Sequence, residues 1–239
     1  MASATDAPER ELDGDTRARI LAAATALIAS GGPGAATTRA VAAAASVQAP
    51  AIYRLFGDKE GLLDAVADRA FMDYVETKSR RELTDDPLAD FRRDWDAHVA
   101  FGLAHREVFM LMHINRRSPP SPAWTAGIAI VRESIRRIAR DGRLRVNEEV
   151  AVDLVDGGVA GTVLSLMRKA PEEREAICTA AREAIFSFIF DLGERPASPG
   201  APSAASALRA SLDEIPALSP GERALLDELL HRISAGSSR

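Results

Sequence analysis

One cysteine, Cys178, stands in 239 residues. A lone cysteine excludes an intrachain disulfide and any zinc or iron–sulfur site built from a cysteine cluster. It also fits a reducing compartment. Long apolar runs are missing. The longest, Leu21 to Ala29, is broken by Thr25 and falls far short of the ~20 residues that a membrane span needs. The opening residues, MASATDAPER, hold acids and no apolar core, so no signal peptide is expected. The expectation is a soluble, cytoplasmic protein with no membrane partner. Positive charge is not in excess either: 30 Lys+Arg face 35 Asp+Glu, giving −5 and a pI near 5.5. That excludes a chain-wide basic coat for nucleic acid but not DNA binding by a small part of the chain. No nucleophile–base set, metal-ligand spacing or cofactor fingerprint is found, so no enzyme, metal or cofactor is expected. The glycine-rich run Asp156 to Gly161 has no strand before it and no Lys-Ser/Thr after it, unlike a phosphate loop. Sustained period-2 alternation is absent, which argues against strands.

What is there is helical. The length suits one large domain or two small ones. A hydrophobic share of 46% beside 27% charged residues is ordinary for a globular chain. Apolar residues recur at helical spacing in four stripes: Ile20, Ala24, Leu27, Ile28; Leu62, Val66, Ala70, Tyr74; Trp124, Ile128, Val131, Ile135, Ile138; and Ile177, Ala181, Ala184, Ile185, Phe188, Ile189. Punctuation agrees. Gly31 to Gly34 ends the first helix, Asp58 caps the second stripe, and Gly142 closes the third. Asn147 and Pro171 open two more helices. Ser118 to Pro122 reads as a loop and Arg195 to Pro202 as a linker. Ser219-Pro220-Gly221-Glu222 is a capping box that starts a short helix carrying Leu225, Leu226, Leu229, Leu230 and Ile233. Residues 1–14 are polar and are expected to be disordered.

The informative stretch runs from Thr37 to Lys59. Thr37 is an N-cap residue for a short helix holding Val41, Ala42 and Ala45. Ser46-Val47-Gln48 is a tight connection. A second short helix follows, with Pro50 in its first turn and Ile52, Tyr53 and Phe56 on an apolar face. Two short helices joined by about three residues, with small residues where they cross, form the helix-turn-helix pattern. Its second helix enters the major groove and presents its N-terminal residues, here Gln48, Ala49, Pro50 and Ala51, to base edges. The last three can only meet a thymine methyl or fill space, so hydrogen-bond readout falls on Gln48 and on Arg39, whose fork matches a guanine edge. Thr37, Thr38, Tyr53 and Lys59 suit phosphate contacts. Arg54 suits either.

Arg19-Ile20-Leu21 through Ala24, Gly32, Thr37-Thr38-Arg39, Val41-Ala42, Ala45, Val47, Pro50, Ile52-Tyr53, Phe56 and Lys59-Glu60 resemble the DNA-binding domain of the TetR family of regulators. The resemblance covers residues 16–65. It implies a three-helix N-terminal domain on a larger helical domain that binds a small ligand and forms a homodimer, with ligand binding releasing a palindromic operator. Three positions depart from the family pattern. Ser46 stands where a turn glycine is usual, which implies a strained backbone or a shifted turn geometry. Gln48 is a weaker cap than the usual serine. Leu55 replaces a histidine or aromatic and removes one phosphate contact.

Beyond Pro87 the motifs are looser. Trp95, Phe101, Phe109, Met110, Met112, Trp124 and Met167 are candidates for lining an apolar ligand cavity, with ordinary core as the alternative. Asp94, His98 and His113 are candidates for a polar group of that ligand. By the resemblance, helices near 147–168 and 171–192 pair into a four-helix dimer interface. Gly157, Gly158, Gly161, Ile185, Phe188 and Ile189 are assigned to it, with Phe186 and Phe190 nearby. The domains expected are a tail over 1–14, the helix-turn-helix domain over 15–60, a ligand-binding and dimerisation domain over 61–194, and a linker with a short helix over 195–239.

The function expected is a ligand-responsive transcriptional repressor, acting as a homodimer on a double-stranded DNA operator and released by a small apolar effector. The alternative is a helical protein-interaction module, or an enzyme with a helix-turn-helix-like N-terminal subdomain. Charge placement agrees with the first. Between Asp15 and Glu60 five basic residues face three acidic ones, a net +2 within a chain of −5, which leaves −7 on the remainder. The remainder should repel DNA and confine contact to the mildly basic segment.

Overall fold

A computed structural model describes residues 6–114, 120–193 and 200–235. Among these the chain is all-helical, with no strand: α1 (Asp6–Gly31), α2 (Thr38–Ala44), α3 (Ala49–Phe56), α4 (Lys59–Ser79), α5 (Pro87–Ala104), α6 (Arg106–Ile114), α7 (Pro122–Arg140), α8 (Glu148–Leu166), α9 (Pro171–Ile189), α10 (Ala201–Ala210) and α11 (Pro220–Ser234), with a 3₁₀ turn at Leu212–Glu214. No described helix is long and apolar enough to cross a membrane.

The helix ends follow local chemistry. Asn147 accepts from the backbone N–H of Val150 at 2.8 Å and caps α8, where Glu148 and Glu149 meet the positive end of the helix dipole. Ser219 and Glu222 make the expected reciprocal capping box of α11. The first helix differs from expectation. It runs back to Asp6, over most of the tail expected to be disordered, and residues 1–5 lie outside the described set. Pro8 falls in its first turn, where a missing N–H leaves no hydrogen bond unmade. The loop expected at Ser118 and Pro119 and the linker residues 195–199 also lie outside the described set.

The chain divides into two compact units, residues 1–77 with 105–125, and residues 78–104 with 126–239. The boundary expected at residue 60 therefore falls inside the first unit. The reason is burial: Leu62, Leu63, Val66 and Ala67 of α4 join the core of α1, α2 and α3, and so does Leu111 of α6. Leu27 and Phe56 pack on that core from its edge.

In the second unit an aromatic cluster centres the packing. Phe91 stacks on Phe186 at 5.2 Å, and Trp95 and Phe190 meet Phe186 edge-on at 5.7 and 5.5 Å. Gly158 of α8 packs against α9 here. A methyl group at that position would stand 2.1 Å from Ile185 Cδ1, so a larger residue would have to displace the tip of that side chain. This corrects part of the expected interface: Gly158 packs on Ile185, and Ile189 is fully buried within its own chain. Gly157 and Gly161 have open space beside them, and Phe188 is 62% exposed. The expected set mixed two faces of α8 and α9.

Ion pairs stitch the same helices. Asp90 is buried and accepts from the N–H of Thr84 at 2.9 Å and from Arg137 at 3.0 Å. Burial pushes its carboxyl up, but those hydrogen bonds outweigh burial and hold it below its ordinary value. Glu148 receives Arg132 at 2.8 Å and Arg136 at 3.0 Å. Arg92 forks onto Glu183 at 3.0 and 2.9 Å, and with Arg182 it holds that carboxyl at about 2.

The segment beyond residue 200 holds two helices, not one. α10 begins at Ala201, inside the expected linker, because Ala205, Leu212 and Leu230 close a small core between α10 and α11. Arg209 ties this pair to α8, bonding Glu149 at 3.2 Å and Asp227 at 2.8 Å.

A depressed carboxylate pKa adds stability above its unfolded value and loses it as pH falls through the folded value. Unfolding midpoints in urea should therefore hold steady above pH 4.5, the ordinary value for a glutamate, and fall as pH drops towards 2, where Glu183 titrates. Glu183→Gln should flatten the curve in that window. An unchanged slope would mean that the Arg92–Glu183 pair is not linked to folding.

Candidate nucleic-acid interface

The candidate interface is built by α1, α2 and α3. Ile20, Ala24 and Ile28 line one face of α1 and bury against Val41, Ala42 and Ile52. That packing holds the short helices at a fixed crossing and turns their other faces outward. Thr37 caps α2: its hydroxyl oxygen accepts from the N–H of Ala40 at 3.2 Å. Gln48 caps α3 by backbone position alone, with no side-chain hydrogen bond, and Pro50 sits in the first turn.

The connection between them depends on Ser46. Its φ is +53°, and it is the sole non-glycine residue with positive φ among those described. L-residues resist this left-handed region because Cβ crowds the next carbonyl. Of the two outcomes open for a serine at the glycine position, the structure shows the strained backbone. At the far end, Gly57 has φ +81° and closes α3. Asp58 then accepts from the N–H of Gly61 at 2.6 Å and caps α4. A methyl group at Gly61 would stand 2.1 Å from the Phe56 carbonyl oxygen, so this tight junction admits only glycine.

The candidate DNA contacts fall as follows. Thr37, Arg39, Gln48, Pro50, Tyr53 and Arg54 are exposed, and Thr38, Ala49, Ala51 and Lys59 are partly exposed. Tyr53 is 52% exposed although it lies in the apolar run of α3. Leu55 turns inward onto the core, which accounts for an apolar residue at that place. Sequence reasoning missed the partner of Arg54. Its two terminal amines donate to the two carboxylate oxygens of Asp13 at 2.7 and 2.8 Å. The Arg54 hydrogen bonds hold the Asp13 carboxyl below its ordinary value. One turn on, the Arg17 guanidinium lies 5.0 Å from the centre of the Phe56 ring. Asp13 was hidden because it lies in the stretch read as disordered.

The ligand candidates divide between the two units. In the first, Phe109 is fully buried, His113 stacks on it at 4.0 Å, and Trp124 meets His113 edge-on at 5.3 Å. Met112 packs on the core of that unit, and Met110 is half-buried. In the second, Trp95 belongs to the aromatic cluster, while His98, Phe101 and Met167 are half-buried. The Asp94 carboxylate is taken by Lys78 at 3.4 Å and by Arg81. Cys178 is half-buried, and burial with Asp96 pushes its thiol up, which makes it a poor nucleophile.

Residues 20–66 match the family model described as bacterial regulatory proteins, tetR family. No curated protein matches the chain in sequence. Several solved structures share its fold. A protein of unknown function from Rhodococcus sp. RHA1 aligns with TM-score 0.60 and 23% identity, covering 74% of this chain and 96% of that one. A tetR-family transcriptional regulator from Pectobacterium atrosepticum gives 0.58 and 22%, covering 80% and 99%. A TetR variant from Acinetobacter baumannii AYE in complex with minocycline gives 0.50 and 24%, covering 70% and 90%.

Replacing Ser46 with glycine removes a left-handed penalty of roughly 1–2 kcal/mol and adds backbone entropy to the unfolded chain. Ser46→Gly should stabilise the protein by about 0.5–1 kcal/mol in chemical denaturation. A destabilised variant would show that the Ser46 turn is not strained.

Proposed function

From the premise that residues 20–66 are a tetR-family DNA-binding domain, in a chain with the fold of tetR-family transcriptional regulators, we propose that this protein is a homodimeric repressor. It binds a palindromic operator and is released by a small apolar effector in the cytoplasm. The observation that carries this reading is the outward face of α2 and α3. Packing of Val41 and Ile52 inward leaves Arg39, Gln48, Pro50 and Tyr53 free to meet a duplex.

Roles divide by chemistry. Arg39 reads a guanine edge through its bidentate fork, and Gln48 reads a neighbouring base. Ala49, Pro50 and Ala51 let the α3 backbone approach the groove. Thr37, Thr38, Tyr53 and Lys59 hold phosphates and set the register. The acidic remainder keeps contact to this face.

A dimer sets two such faces on two half-sites. Its support is a continuous outward stripe on α8, with Val150, Leu154, Gly157 and Gly161 at helical spacing, all exposed. Ala176, Ala180 and Ala184 form a similar exposed stripe on α9. Small residues let helices of two copies approach closely, and Val150, Leu154 and Phe188 supply apolar area. The effector reading rests on likeness of fold to a regulator solved with minocycline. Half-buried His98, Phe101 and Met167, all in the second unit, are its candidate contacts.

Selection of bound genomic fragments, followed by titration against salt, tests the DNA reading. Arg39→Ala should cost about 1–3 kcal/mol and relax the preference for one base pair. Lys59→Ala should weaken all sequences alike and reduce the salt slope by about 1. Equal affinity and preference in Arg39→Ala would remove Arg39 from base readout. For the dimer, Leu154→Glu should shift sedimentation from dimer to monomer at micromolar concentration, a loss of about 2 kcal/mol or more. A variant that stays dimeric would move the interface off the α8 stripe.

A further inference from the structure

Arg54 is the one charged residue of α3. Both of its terminal amines are engaged by Asp13, 41 residues earlier in the chain, at 2.7 and 2.8 Å. Two parallel N–H···O bonds are the geometry in which a guanidinium meets two phosphate oxygens, or the O6 and N7 of guanine. The Asp13 carboxylate thus takes the donor pair that a duplex would use, and its charge cancels that of Arg54. The pair is exposed on both sides, with side-chain accessibilities of 58% and 42%. Exposed pairs of this kind contribute little to folding. Stability is therefore a poor reason for its placement on the proposed recognition helix.

The rest of α1 supports the arrangement. Asp13 and Arg17 lie one turn apart on one face, and both meet α3, at Arg54 and at the Phe56 ring. The N-terminal extension of α1 is thereby laid along α3. Between the two contacts stands Gly14, with open space around it. Glycine is the weakest ordinary helix former, at about 1 kcal/mol below alanine. The extension can therefore part from α3 without disturbing the core packing of Ile20 and Ala24.

We propose that Asp13 is an intramolecular phosphate mimic that competes with DNA for Arg54 and so restrains the affinity of this protein for duplexes of any sequence. This rests on the DNA-binding reading above. In the latched state α3 approaches the groove with no net charge, and affinity depends on the contacts that Arg39 and Gln48 make to bases. When the latch opens, Arg54 neutralises one phosphate per subunit. The device lowers non-specific binding more than specific binding, which raises discrimination between operator and bulk DNA.

The test uses the full-length protein and a fluorescent duplex of mixed sequence, titrated by anisotropy across a range of salt. Asp13→Asn keeps the shape and removes the charge. One phosphate adds about 0.9 to the slope of log K against log salt, which is about fivefold in affinity per subunit near 0.15 M salt. The gain should vanish when Arg54→Ala is added, because no donor pair is left to release. An unchanged or weakened Asp13→Asn, or a gain that persists in the double variant, overturns the proposal while leaving the DNA-binding reading intact. Absence of salt-dependent duplex binding by both the wild type and Asp13→Asn overturns both.

Discussion

Everything proposed for the N-terminal unit depends on one packing contact: the stripe of Ile20, Ala24 and Ile28 on α1 buried against Val41, Ala42 and Ile52. Each of those side chains is buried, and full burial of an isoleucine or valine is worth about 1.5–3 kcal/mol. Helices of seven and eight residues are too short to persist alone in water. Their helicity and their crossing are supplied by α1 and by the α4 residues beneath. The outward direction of Arg39 and Gln48 is a consequence of that burial. A face proposed to read a groove must be rigid, and here the rigidity comes from the residues buried beneath it.

Backbone strain and tight turns complete the arrangement. Ser46 holds a left-handed conformation without the glycine that would ease it. Gly61 lies so close to the Phe56 carbonyl that no side chain fits. Both positions flank α3, so its two ends are set by local geometry as well as by the core. Charge is distributed to match. A net +2 segment sits on a chain that is otherwise acidic, and Asp13 carries the opposing sign onto α3 itself. The second unit uses charge differently. Asp90, Glu148 and Glu183 each receive two arginines, joining α5, α7, α8 and α9 where apolar contact alone would allow sliding.

Much of this is legible in the amino-acid sequence. Periodicity gave the helices, since a 3.6-residue repeat survives in the sequence whatever the partner of the buried face. Thr37, Asp58, Asn147 and Ser219 act as caps because capping needs only a side-chain oxygen and the next turn of backbone. Other features were out of reach. Gly157, Gly158 and Gly161 look alike in sequence, yet Gly158 faces Ile185 inside the chain while its neighbours face outward. A 100° step per residue decides this, and the rotation of a helix about its axis is set by what it packs against. The pairing of Asp13 with Arg54 joins residues 41 positions apart, and no local rule connects them.

The amino-acid sequence by itself determined the helices, most of their ends, the helix-turn-helix register and the placing of a serine at the turn. Those properties depend on contacts within a turn or two of chain, or on a spacing that one helix carries alone. The tertiary structure decided which glycines meet the chain's own core, how far α4 belongs to the N-terminal unit, the packing of α10 on α11, and the carboxylate that occupies Arg54. These depend on which distant surfaces meet. Many sequence pairs satisfy charge and hydrophobicity equally well, and only close packing selects among them.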